Sequence, residues 1–180
     1  VEGRYIRVES LEAPADGAPP GSEEEDSGLC FTIDASADPS LRELVGKMLP
    51  ICEHVLVVSR YVETRFAYEQ GLVAHALAAA IKELLWDWNL MVAQLEHQLR
   101  TGRLTLQGMW FYCQPTVSAL RILAEIAGRA AAERLRGAAL LNLLHGMAQQ
   151  VAGDSTAHEL LMRLLHAASV PYLSSLHQWI

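Results

Sequence analysis

Apolar positions recur along most of this chain at steps of three and four, the period of an amphipathic helix. Between Gly71 and Arg100 the pattern is unbroken for about thirty residues, a helix of roughly 45 Å at 1.5 Å per residue. Leu77, Ile81, Leu84, Trp88, Val92, Leu95 and Leu99 share one face and form its predicted core stripe. The opposite face should be charged if it met water. It carries instead Leu72, Ala79, Trp86, Leu90 and Ala93, broken only by Lys82, Glu83, His75 and His97. Two arrangements suit such a helix: it is sandwiched within its own domain, or one of its faces is open to a partner.

The same reading predicts helices on either side. Asp38 before Pro39 is a helix start, with the carboxylate as N-cap and proline at the first helical position, where its missing N–H costs nothing. The stripe that follows, Leu41, Leu44, Val45, Met48, Val55, Val58, Val62 and Phe66, stays in phase past Pro50, which predicts a bend or brief interruption between two nearly collinear segments. The long helix is expected to begin near Glu69 and stop at Gly102, with Arg100 favouring the negative end of its dipole. Thr105 is placed to cap a short helix carrying Met109, Trp110, Phe111 and Tyr112, and Pro115 opens or bends into the pattern Val117, Leu120, Leu123, Ala124, Ala127, which ends near Gly128 or within Ala130 to Arg136. A further helix covers Ala138 to Val151. The last long one starts at Asp154 or Thr156, where Thr156 and Glu159 match a capping box, and Pro171 is expected to split off a final turn or helix from Tyr172 to Ile180.

Only the beginning reads differently. Arg4 to Val8 and Leu29 to Ile33 alternate in the manner of short strands. Between them, Ala13 to Gly28 is rich in Pro, Gly, Ser and acids, a composition that predicts a solvated, mobile loop. The expected organisation is therefore residues 1–37 as short strands flanking an acidic loop, and residues 38–180 as an all-α, elongated helical bundle. No repeat of fixed period is present.

Charge alters this picture little. The net charge of −7 has one origin, the seven acids Glu9, Glu12, Asp16, Glu23, Glu24, Glu25 and Asp26, with no base among them. The folded remainder is balanced and has no basic patch for phosphates, so a nucleic-acid partner is not expected. Apolar runs are broken by Lys82, Glu83, Asp87 and Asn89, so no membrane span is expected. Cys30, Cys52 and Cys113 are too far apart for a paired-cysteine motif and read as small buried hydrophobes.

Catalytic patterns fail on spacing. His158 and Glu159 open like a zinc-protease helix, but the residue four positions after the histidine is Met162, and His166 stands eight away. His145 and His166, among apolar neighbours, read as hydrogen-bonded core or boundary histidines. There is no phosphate-binding glycine loop and no G-x-S-x-G elbow. Met109 to Tyr112 reads as a packing anchor rather than a cofactor box. No catalytic, cofactor-binding or metal residue is assigned, and no cofactor is expected.

Several stretches together resemble a known family. Gln70-Gly71-Leu72-Val73-Ala74-His75-Ala76-Leu77-Ala78-Ala79-Ala80, then Gln94-Leu95-Glu96, then Trp110-Phe111-Tyr112-Cys113-Gln114-Pro115 are similar to the gamma-tubulin complex components, on the component 2 branch. Leu143-Leu144-His145, Gly153-Asp154-Ser155, Ala168-Ser169-Val170-Pro171-Tyr172-Leu173 and the spacing of Leu176, Trp179 and Ile180 fit the same family, as does Gly3-Arg4-Tyr5-Ile6 at the entry. The acidic stretch and Ala130 to Ala132 do not match.

The resemblance implies part of the amino-terminal helical region of a longer, non-enzymatic scaffold subunit. In that family component 2 pairs laterally with component 3 through these bundles, and the carboxy-terminal halves hold gamma-tubulin, so that the array templates microtubule nucleation. It implies a cytoplasmic, cytoskeletal location at microtubule organising centres. The residues alone also admit a general helical adaptor, or a bundle using its histidines for a metal or cofactor. For a partner surface, Trp86 and Leu90 are the candidate anchors, being large and apolar opposite the core stripe, and Arg100 and Arg103 are candidates for polar contacts at its rim.

Overall fold

The computed structural model of the chain describes residues 6–10, 29–65 and 71–180. Among these are two strands, β1 (Ile6–Ser10) and β2 (Leu29–Ile33), and five helices: α1 (Pro39–Arg65), α2 (Leu72–Arg100), α3 (Leu106–Ala132), α4 (Ala138–Gln150) and α5 (Ser155–Trp179). The all-α expectation with a short two-stranded element at the beginning holds. Arg4, the acidic stretch Ala13 to Gly28, Phe66 and Glu69, all given roles by the sequence, lie outside the described residues.

The chain divides into two units, residues 1–53 and 54–180. In the first, β1 and β2 pair antiparallel with Ile6 opposite Ile33 and Ser10 opposite Leu29. Asp34 closes the end of this pair. Its Oδ1 accepts the Ser36 backbone N–H at 2.8 Å, and its Oδ2 meets the Arg7 guanidinium at 3.4 Å. Hydrogen bonds from Ser36, with the Arg7 charge adding to them, hold the Asp34 carboxyl below its usual value. The Asp38 Oδ1 accepts the Ser40 N–H at 2.9 Å, the N-cap that the sequence predicts for α1. Met48, Leu49 and Ile51 are buried in this unit, whereas Leu41, placed on the same stripe, is half exposed.

The second unit holds the larger core. Val58, Tyr61 and Val62 of α1 are buried, and burial pushes the Tyr61 phenol up to about 12, with Arg65 pulling weakly the other way. Helix α2 packs chiefly on α5, and α5 on α4, with α3 lying against α4 and α5. Helices α2 and α5 run antiparallel, because Gly71 to Val73 share a surface groove with Pro171, Tyr172 and Ser175, while Glu83 pairs with Arg163. At the centre, Leu77, Ile81, Ile126, Leu140, Leu144, Leu161 and Leu164 are sealed from solvent. No buried side-chain polar atom among the described residues lacks a partner, as a stable interior requires.

The interruption expected as one alternative at Pro50, the separate short helix before Pro115 and the split at Pro171 are absent. Pro50, Pro115 and Pro171 all sit inside continuous helices. Each removes one N–H and sets its ring against the carbonyl four residues back. Those carbonyls belong to Gly46, Phe111 and Ala167, of which the first two are exposed residues, so water can replace the lost bond. The packing of the flanking turns then carries each helix through, and the tertiary context outweighs the local penalty.

Helix ends follow hydrogen-bond logic closely. At the end of α2 the Gly102 N–H donates to the Leu99 carbonyl and the Arg103 N–H to that of Gln98, both at 3.0 Å, with Gly102 at φ +68°. This is a Schellman termination. Helix α3 ends the same way: Arg134 donates to Ala131 and Leu135 to Ala130, but here Arg134 holds the left-handed position at φ +49°. Helix α5 is capped by Asp154, whose Oδ1 accepts from the Thr156 and Ala157 backbones at 3.1 Å each. The Thr156–Glu159 capping box is therefore not the one used, because Thr156 already lies inside the first turn.

Candidate functional site

Helix α2 changes character along its length. Its first half buries Val73, Ala74, Leu77, Ala78, Ile81 and Leu85. Beyond Leu85 only Leu95 is buried. Of the predicted core stripe, Leu84 and Trp88 are half-buried, while Val92 and Leu99 are 40% and 61% exposed. The stripe is continuous in sequence but is covered on one half only.

Trp86 and Leu90 stand on the other side of this open half, 73% and 54% exposed. They are four residues apart and so lie on one face. Arg100 shares that face, since fourteen residues beyond Trp86 return to within about 40° of it, some 21 Å along the axis. Its guanidinium is paired with Glu96 one turn back. Arg103 is exposed in the turn that follows, with its backbone fixed by the bond to Gln98. Trp86, Leu90 and Arg100 are thus brought onto one side of one helix, and Arg103 onto the adjoining turn.

A shallow groove beside Trp86, between α2 and α5, is lined by Ala79, Lys82, Glu83, Asp87 and Arg163. The Arg163 guanidinium lies 3.7 Å from the Glu83 carboxylate. Arg163 is the member of this site that the sequence reading missed, because its neighbours are eighty positions away and no local period connects them.

The start of α3 extends the open region. Thr105 caps it as expected, its hydroxyl accepting the Gly108 N–H at 3.1 Å. Met109 and Trp110 are half-buried, but Phe111 and Tyr112 are 70% and 47% exposed and touch each other edge to face at 5.9 Å. The packing-anchor reading of this cluster therefore holds for its first two residues only. Consecutive side chains on a helix are 100° apart, so four in a row cannot all face one core.

The histidines and cysteines are also redistributed. His145 and His166, expected as hydrogen-bonded core or boundary residues, are both exposed; His145 Nε2 meets Gln149 Nε2 at 3.0 Å. His158 ties α5 to α4 through Nδ1 and the Ala148 carbonyl at 3.0 Å. Cys113 is buried as expected, Cys52 is exposed, and the Cys30 side chain lies outside those described. Among the described residues no three His, Cys, Asp or Glu side chains are placed to hold a metal ion. No described helix is long and apolar enough to cross a membrane.

Residues 1–180 match the family model of the gamma tubulin complex component N-terminal region. The chain belongs to the gamma-tubulin complex component family. It is 41% identical over its whole length to gamma-tubulin complex component 2 of Arabidopsis thaliana, covering 25% of that protein. To the component 2 of Mus musculus it is 37% identical, again along its whole length, covering 19%. It is also similar to the spindle pole body component alp4 of Schizosaccharomyces pombe, 24% identical and covering 28%. The chain thus spans between about a fifth and just over a quarter of the length of these relatives. Family membership gives the fold a context. It does not by itself select the residues that make contacts.

Proposed function

We propose that this chain is a lateral assembly module of a non-enzymatic scaffold subunit in the gamma-tubulin complex, and that the face carrying Trp86 and Leu90 contacts component 3. The subunit would take its place beside component 3 at a microtubule organising centre, in the cytoplasm and cytoskeleton, and help build the template for microtubule nucleation. Gamma-tubulin itself would be held by the carboxy-terminal half of the full-length protein. Residues 38–180 are the helical part that assembles in this reading, and residues 1–37 carry the short strands and the acidic stretch.

The observation that carries the proposal is the exposure of Trp86, at 73%. An indole on a helix centre, with Leu90 one turn on and charged residues around it, has the composition of an interface anchor within a polar rim. Burying each of these two side chains against a partner contributes roughly 1.5–3 kcal/mol from area alone. Similarity along the whole chain to the component 2 proteins supports the choice of complex.

Copurification of the full-length protein with component 3 tests the proposal. Trp86→Glu should fold with unchanged helical circular dichroism and lose component 3. A variant that folds and pairs as well as the native protein moves the interface to another element.

A further inference from the structure

We draw no further inference here: the strongest candidate, the exposed apolar face on the last turns of α5, where Tyr172, Leu173, Leu176 and Trp179 follow the buried Leu164 and Ala168, is an unpartnered helix surface, and nothing in the structure shows what covers it.

Discussion

Two stretches of similar length and similar apolar content meet opposite fates in this molecule. From Leu140 to Ala168 the apolar period is sealed nearly throughout, by Leu140, Leu143, Leu144, Met147, Ala148, Ala157, Leu161, Leu164 and Ala168. From Trp86 to Ala119, across the end of α2 and the start of α3, only Leu95 and Cys113 are buried. Propensity does not separate the two, since both are fully helical apart from short turns. The difference is supplied by neighbours. Helices α4 and α5 pack on each other and receive α2 and α3, whereas the second half of α2 continues past the part of α5 that covers the first. An apolar stripe shows that a helix is able to pack; whether it does so within its own chain depends on the lengths and registers of other helices.

The largest expected contrast follows directly. Leu144→Ala, in the sealed stretch, should cost about 2–5 kcal/mol through lost transfer energy and a residual cavity. Leu90→Ala, in the open stretch, should stay within about 0.5 kcal/mol. Urea denaturation followed by circular dichroism compares them, and equal losses would erase the distinction between the two regions.

A smaller contrast lies within α2 itself. Trp88→Glu places a charge at a half-buried position on the core side and should destabilise by about 1–3 kcal/mol. Trp86→Glu, on the other side of the same turn, should stay within about 0.5 kcal/mol. If both variants lose helical signal alike, Trp86 is covered by something in the folded protein and its face is interior.

The smallest effect tests the boundary between the regions' helices. Arg134 holds a left-handed conformation that side chains disfavour, so Arg134→Gly should raise stability by up to about 1 kcal/mol. Gly102, which already occupies the equivalent position after α2, should lose a comparable amount when changed to alanine.

These comparisons also mark what the sequence could convey. The helical stripes, the Asp38 and Thr105 caps and the Gly102 stop were legible because each depends on residues within one or two turns. Helix continuity through Pro50, Pro115 and Pro171 was not legible, since local sterics there are outweighed by packing that no local pattern reveals. The same limit explains Val92 and Leu99: their period marks them as core, but coverage depends on how far α5 reaches. Trp86 and Leu90 stood out in the sequence as large apolar residues opposite the core stripe, and both are exposed. Arg163 was not, because it meets Glu83 only through the antiparallel packing of two helices distant in sequence.

The central claim is that the open half of α2 is a surface awaiting another subunit, and side-chain oxidation footprinting tests it most directly. Hydroxyl radicals would be applied to the full-length protein alone and in complex with component 3, and modification read at individual residues. The account predicts strong oxidation of Trp86 in the free protein and marked protection on pairing, with Leu90 protected alongside it and the sealed Leu144 and Leu161 unreactive in both states. Equal oxidation of Trp86 with and without component 3 would contradict it.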